Sequence, residues 1–213
     1  MPKVSQEYLD ARRAEILDAA IACFSRDGFH CATMQDIVRQ SGLSPGAIYN
    51  YFKSKEEIIE AIAVNRHAKE RRMVTKAMKE DSKVSALKQI RDEFFGELKQ
   101  PKERLRRRVS IQAWAEAQRN PKILRIVRRS FQEPCKLLTN ALAQAQRRGE
   151  ISAEVDPEAM ARFVIAAFHG LVLQAEWDES FSVEPQLKII DMLLATISTT
   201  TKRILAAAKI AAR

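Results

Sequence analysis

The sequence predicts an all-α protein: an N-terminal three-helix helix-turn-helix domain followed by a larger C-terminal helical bundle, about nine helices in all. Apolar residues recur at three- and four-residue spacings, no segment alternates as a half-buried strand does, and Pro and Gly fall where helices start and stop. Hydrophobic residues make up 46% of the chain and only six residues are glycine, a composition that supports a packed core rather than disorder.

Residues 8–27 form the first helix, with Ile16, Ala20 and Phe24 on one stripe and Gly28 as its stop. Thr33 caps a short helix carrying Ile37 and Val38, and Ser41-Gly42 ends it, because glycine tolerates the left-handed conformation common at helix exits. Ser44-Pro45 opens the next helix, with Ser as cap and Pro at the first turn, where its missing N–H costs nothing. Ser54-Lys-Glu-Glu57 has the pattern of a capping box, starting a longer helix through Ile58, Ile59 and Ile62 towards the basic stretch 66–79. Leu87, Ile90, Phe94 and Leu98 mark a helix ended by Gln100-Pro101, and Leu105, Val109, Ala113 and Ala117 one ended by Asn120-Pro121. Shorter helices are expected at about 122–132 and 134–148, with Gly149 as an exit. Asp156-Pro157 begins a helix reaching Trp177, and Pro185 opens a last helix that can run to the C-terminus. These elements divide the chain into a motif domain (1–53), a linking helix (54–80) and a second domain (81–213).

Two short helices joined by a turn of about four residues have the shape that enters the major groove of B-DNA. Ser44, Pro45, Gly46 and Ala47 are too small to cover much apolar surface, so their backbone can approach another molecule closely. Ile48 and Phe52 form the inward stripe, which leaves Tyr49, Asn50 and Tyr51 on or near the outside. Lys55 falls in the first turn of a helix, where a cation opposes the helix dipole; an external phosphate there would account for it.

Ile16, Ala19-Ala20, Phe24, Gly28-Phe29, Thr33, Ile37, Ser41-Gly42-Leu43-Ser44, Gly46, Ile48-Tyr49 and Phe52-Lys53-Ser54-Lys55-Glu56 together resemble the DNA-binding domain of the TetR family. The resemblance spans roughly residues 10–63 in fixed register and is architectural beyond that. It implies a dimeric, ligand-responsive bacterial transcriptional repressor that binds a palindromic operator in double-stranded DNA. It also implies that Thr33, Tyr49 and Lys55 meet phosphates, while Gln35, Pro45, Ala47, Asn50 and Tyr51 face bases or sugar edges. Gln35 and Asn50 have the amide geometry for bidentate contacts to adenine. The same resemblance places an effector pocket in the C-terminal bundle, with Phe94, Trp114, Gln118, Phe131, Phe163, Phe168, His169 and Trp177 as candidate lining residues. Most large apolar side chains at helical spacing are simply core, and His169 is equally readable as a core histidine.

The last two helices carry apolar surface wider than one core contact needs. Phe163, Ala166, Ala167, Gly170 and Gln174 on one, and Ile190, Leu194, Ile197 and Thr201 on the other, are the candidate homodimer interface, against the alternative of ordinary intrachain packing.

The net charge of +9 does not lie in the motif region. Residues 1–66 hold eight Lys/Arg against nine Asp/Glu, whereas 67–150 hold 22 against ten. The DNA reading therefore rests on geometry, not on pI. The Arg-rich stretches (104–108, 125–129, 147–148) read as solvated faces, with an anionic small-molecule effector as the alternative. Cys23, Cys31 and Cys135 match no metal spacing and read as reduced thiols, with a redox pair of Cys23 and Cys31 as the alternative. No cofactor is expected. There is no nucleophile elbow, phosphate loop or metal-spaced cluster, so an enzyme is not expected. No uninterrupted run of eighteen apolar residues and no signal-peptide core occur, so a cytoplasmic protein without a membrane span is expected. The rival to a regulator is a helical ligand-binding module whose helix-turn-helix no longer binds DNA specifically.

Overall fold

The computed structural model describes residues 5–79 and 83–198, which form nine α-helices and one 3₁₀ turn. The helices are α1 (Gln6–Cys31), α2 (Met34–Ser41), α3 (Pro45–Tyr51), α4 (Lys55–Ala77) and α5 (Lys83–Gly96), followed by the turn Glu97–Lys99. After it come α6 (Pro101–Glu116), α7 (Pro121–Arg147), α8 (Pro157–Trp177) and α9 (Glu184–Ile197). The all-α expectation holds among the described residues.

The chain divides into two compact units, one of residues 1–66 and 101–130 and the other of 67–100 and 131–213. In the first unit, Ile16, Ala20 and Phe24 of α1 share a core with Ile37 of α2, Ile48 of α3, Ile58 of α4, Val109 and Ala113 of α6, and Ala117 just after it. Burying side chains of this size contributes about 1.5–3 kcal/mol each, which explains how helices as short as α2 and α3 are held. In the second unit, Val74, Leu87, Ile90, Leu142 and Ile151 form a separate core. An isolated antiparallel bridge between Ile151 and Ser198 ties the end of α9 to the segment after α7, with the Ser152 N–H donating to the Ile197 carbonyl at 2.8 Å.

The first helical run of α1 stops at Gly28 as expected: at φ 83° and ψ 150° the backbone leaves helical geometry and one further turn follows, closed by the Ala32 N–H donating to the Gly28 carbonyl at 3.0 Å. Two elements differ from the sequence expectation. The two helices expected at 122–132 and 134–148 are one helix, α7, with the buried Pro134 inside it. Proline removes one intrahelical hydrogen bond, and here the flanking turns keep helical geometry through it. The last helix ends at Ile197; Thr201 lies outside the described residues.

Among the described residues α8 is the one helix long and apolar enough to cross a membrane by length and composition. It also carries Glu158, Arg162 and Glu176, and it buries Ala161, Ile165, Phe168 and Val172 within its own unit.

The backbone of Gly28 lies in a region that only glycine occupies readily. Gly28→Ala is expected to destabilise the protein by about 1–3 kcal/mol, read from the urea-unfolding midpoint, although a Cβ there meets nothing within 4 Å.

Candidate nucleic-acid interface and apolar cavity

The N-terminus of α2 is fixed by a reciprocal capping box. The Asp36 N–H donates to Thr33 Oγ1 at 3.2 Å, and the Thr33 N–H donates to Asp36 Oδ2 at 2.8 Å. The Thr33 hydroxyl also donates to Asp36 Oδ2, at 2.6 Å. These bonds from the Thr33 side chain and backbone, with Arg39 alongside, hold the Asp36 carboxyl below its ordinary range. Gly42 closes α2 in the left-handed conformation, φ 69°.

Ser44 caps α3 by accepting from the Ala47 N–H at 3.2 Å, with Pro45 at the first turn. Ile48 and Phe52 point into the core. Ser44, Pro45, Gly46, Tyr49 and Asn50 are exposed, while Ala47 and Tyr51 are half-buried; Thr33 and Gln35 are exposed beside them on α2. All ten predicted contact residues thus belong to the first unit, and the small-residue start of α3 is uncovered. The result is an open face of backbone, amide and phenol groups.

Lys55 is placed differently from what its helix position suggested. Its Nζ donates to the carbonyls of Phe29 at 2.7 Å and His30 at 3.3 Å, and lies 4.8 Å from the Phe29 ring centroid. The carbonyls after the α1 break offset the unfavourable dipole of α4, so the residue has an internal electrostatic account as well as an external one. Ser54 caps α4 as expected, its Oγ accepting from the Glu57 N–H at 3.3 Å, while the Glu57 carboxylate reaches one residue further back and accepts from the Lys53 N–H at 2.6 Å.

Two polar ties escaped the sequence reading. Gln112 Oε1 on α6 accepts from the Phe29 N–H at 3.0 Å, beside the Gly28 break. Asn120 Nδ2 lies 3.4 Å from Glu56 Oε1 at the start of α4. Gln112 lies between the apolar positions Val109 and Ala113, and only that interruption hinted at a polar task.

The second unit contains an apolar cavity of about 70 Å³ that opens to solvent. Of the predicted ligand residues, Phe94, Phe163 and Phe168 line it, with Leu87, Leu138 and Val164 among their neighbours. Phe168 meets Phe94 and Phe95 edge-on, at centroid distances of 5.7 and 5.5 Å. Phe131 and His169 stack on each other at 4.3 Å but are not in the lining, and Trp177 is 73% exposed. Trp114 and Gln118 belong to the first unit.

On α8 the candidate interface residues Phe163, Ala166 and Gln174 are exposed and Ala167 and Gly170 half-buried. On α9 Ile190, Leu194 and Ile197 are half-buried and line the cavity, whereas the exposed apolar residues of that helix are Ile189, Met192 and Leu193. Lys99, 2.6 Å from Glu184, and the Ser182 hydroxyl draw the Glu184 carboxyl down to about 2, which keeps the start of α9 ionically tied at ordinary pH.

Burial pushes the Cys23 thiol up, which disfavours the nucleophilic thiolate. No group of three or more potential metal-binding side chains occurs among the described residues.

A family profile described as bacterial regulatory proteins, tetR family, matches residues 16–62. A second, described as the C-terminal part of BetI-type transcriptional repressors, matches residues 85–199, more than half of the chain. The chain belongs to the TetR family.

Among the relatives of this TetR-family chain, the HTH-type transcriptional regulator UidR of Escherichia coli K12 is 27% identical over 171 residues, 78% of this chain and 83% of that protein. The uncharacterized HTH-type transcriptional regulator YfiR of Bacillus subtilis is 51% identical over 61 residues, 29% of this chain and 30% of that protein. The solved structure of Salmonella enterica GusR superposes with a TM-score of 0.74 at 25% identity, covering 91% of this chain and 97% of that one. The TetR-family chain is therefore a helix-turn-helix transcriptional regulator, and its family and named relatives are regulators rather than enzymes.

The depressed Asp36 carboxyl sets a pH dependence. A folded value below the unfolded one contributes stability that is fully present above about pH 4 and is lost as pH falls through the folded value. Urea unfolding at pH 3 and pH 7 is expected to show a smaller acid loss for Asp36→Asn than for the unsubstituted protein.

Proposed function

We propose that the protein is a homodimeric, cytoplasmic repressor that binds a palindromic operator and is released by a small-molecule effector. The uncovered start of α3 carries this reading. Pro45, Gly46 and Ala47 let the backbone approach a groove wall while Tyr49 and Asn50 stand exposed beside them. In this reading Tyr49, Thr33, Ser44 and Lys55 position the head on phosphates. Gln35, Asn50 and Tyr51 with the backbone around Gly46 then meet base and sugar edges. Thr33 and Lys55 would exchange the bonds they make within the protein for bonds to phosphate.

Dimerisation is supported by the exposed apolar side chains of the last two helices. Phe163 is 57% exposed, Ile189 56% and Met192 65%. With Trp177 they exceed what isolated surface hydrophobics explain, and they mark a face for a second copy. Two-fold symmetry then requires two half-sites a whole number of helical turns apart. The effector enters the apolar cavity of the second unit, which meets the common pattern of a small-molecule site. It acts by binding better to a dimer whose heads do not fit both half-sites.

Selection from a random DNA pool at fixed salt is expected to recover one palindrome with the unsubstituted protein and none with Tyr49→Ala. On that operator, Lys55→Ala is expected to weaken binding and reduce the log–log salt slope by about 1, as loss of one phosphate contact requires. Failure to enrich any sequence would overturn the DNA reading.

A further inference from the structure

The cavity wall is apolar except at one residue, Arg91 on α5. Arginine stays charged in any protein environment, so an unopposed guanidinium there would draw an anionic ligand in. Arg91 is opposed twice. One terminal nitrogen lies 2.6 Å from Asp92 Oδ1, and the other pairs with Asp191 on α9. The Arg91 side chain is 13% exposed, whereas those of Asp92 and Asp191 are 59% and 47% exposed. Its Nε is enclosed without a hydrogen-bond partner, so the two carboxylates hold the group. The arrangement leaves the stem of Arg91 to the cavity and its charge to the surface side.

The charge balance decides the ligand class. One guanidinium with two carboxylates carries a net single negative charge, and a ligand carboxylate beside them would raise it to two. From this we infer that the cavity selects uncharged apolar ligands, and that Asp191 is the specificity residue, rejecting carboxylates by occupying Arg91. This rests on the cavity being the effector site. It also separates the cavity from the arginine-rich stretches, none of whose side chains is in its lining. Removing the Asp191 charge should convert the site. A carboxylate entering Asp191→Asn restores the balance of the unsubstituted protein and takes the vacated nitrogen of Arg91 in a charge-assisted hydrogen bond.

The test uses the full-length protein and the uncharged fluorescent probe 1-N-phenylnaphthylamine, displaced in parallel by decan-1-ol and by decanoate. The preference for the alcohol over the carboxylate is expected to shrink about tenfold in Asp191→Asn, the size of one charge-assisted hydrogen bond. It should shrink equally in Asp191→Ala and return in the double variant Asp191→Asn/Arg91→Met. An unchanged ratio in both single variants, with probe affinity intact, would overturn the role of Asp191 while leaving the cavity reading standing. Leu138→Trp fills the cavity and is expected to abolish probe binding. Undiminished binding to that variant, or none to the unsubstituted protein, would overturn the cavity reading and this inference with it.

Discussion

The recognition face depends on one shared core. Helices α2 and α3, of eight and seven residues, are too short to persist alone in water, and each contributes a single fully buried isoleucine, Ile37 or Ile48. Their angle is therefore set from outside, by Ile16, Ala20 and Phe24 of α1, by Ile58 of α4 and by the inner face of α6. Caps settle where the helices begin, and the core settles where they point. A change in how α4 or α6 meets that core is therefore passed on to Tyr49 and Asn50 through Ile37 and Ile48.

The polar ties lie where such movement would be felt. Gln112 grips the backbone at the Gly28 break, Asn120 meets Glu56 at the start of α4, and Lys55 reaches the carbonyls just past the break. Gln112 holds the end of α1, Asn120 the start of α4, and Lys55 joins the two. Phosphate binding by Lys55 would loosen one of the three, so DNA and the internal contacts compete for that ammonium. This competition is a physical route by which a change at α4 can alter DNA affinity without moving the groups that face bases.

Much of this was legible in the sequence. Thr33, Gly42, Ser44-Pro45 and Asp156-Pro157 announce helix ends through backbone chemistry that acts within a few residues, and all four ends occur as read. What was not legible depends on distant packing. Pro134 looks like a boundary locally, yet α7 continues through it. Residues 101–130 lie in the middle of the chain but pack with α1, and no local pattern announces that choice. On α9 the apolar stripe is wide enough to admit two faces. The structure turns Ile190, Leu194 and Ile197 to the cavity, leaves Ile189 and Met192 outside, and sets the exposed Leu193 at the cavity's rim. Arg91 was invisible as a site residue because a lone arginine on a helix carries no sign of the carboxylates it will meet.

In the proposed function one chain couples a DNA-reading face to a cavity in its other unit. Thermodynamic linkage makes that claim measurable, since coupling between two binding sites is reciprocal. The decisive measurement is the affinity of 1-N-phenylnaphthylamine for the protein with and without saturating operator, beside the operator affinity with and without saturating probe. Each ligand is expected to weaken the other by the same factor, and by more than about fivefold. Equal affinities in all conditions, with both ligands bound, would contradict it.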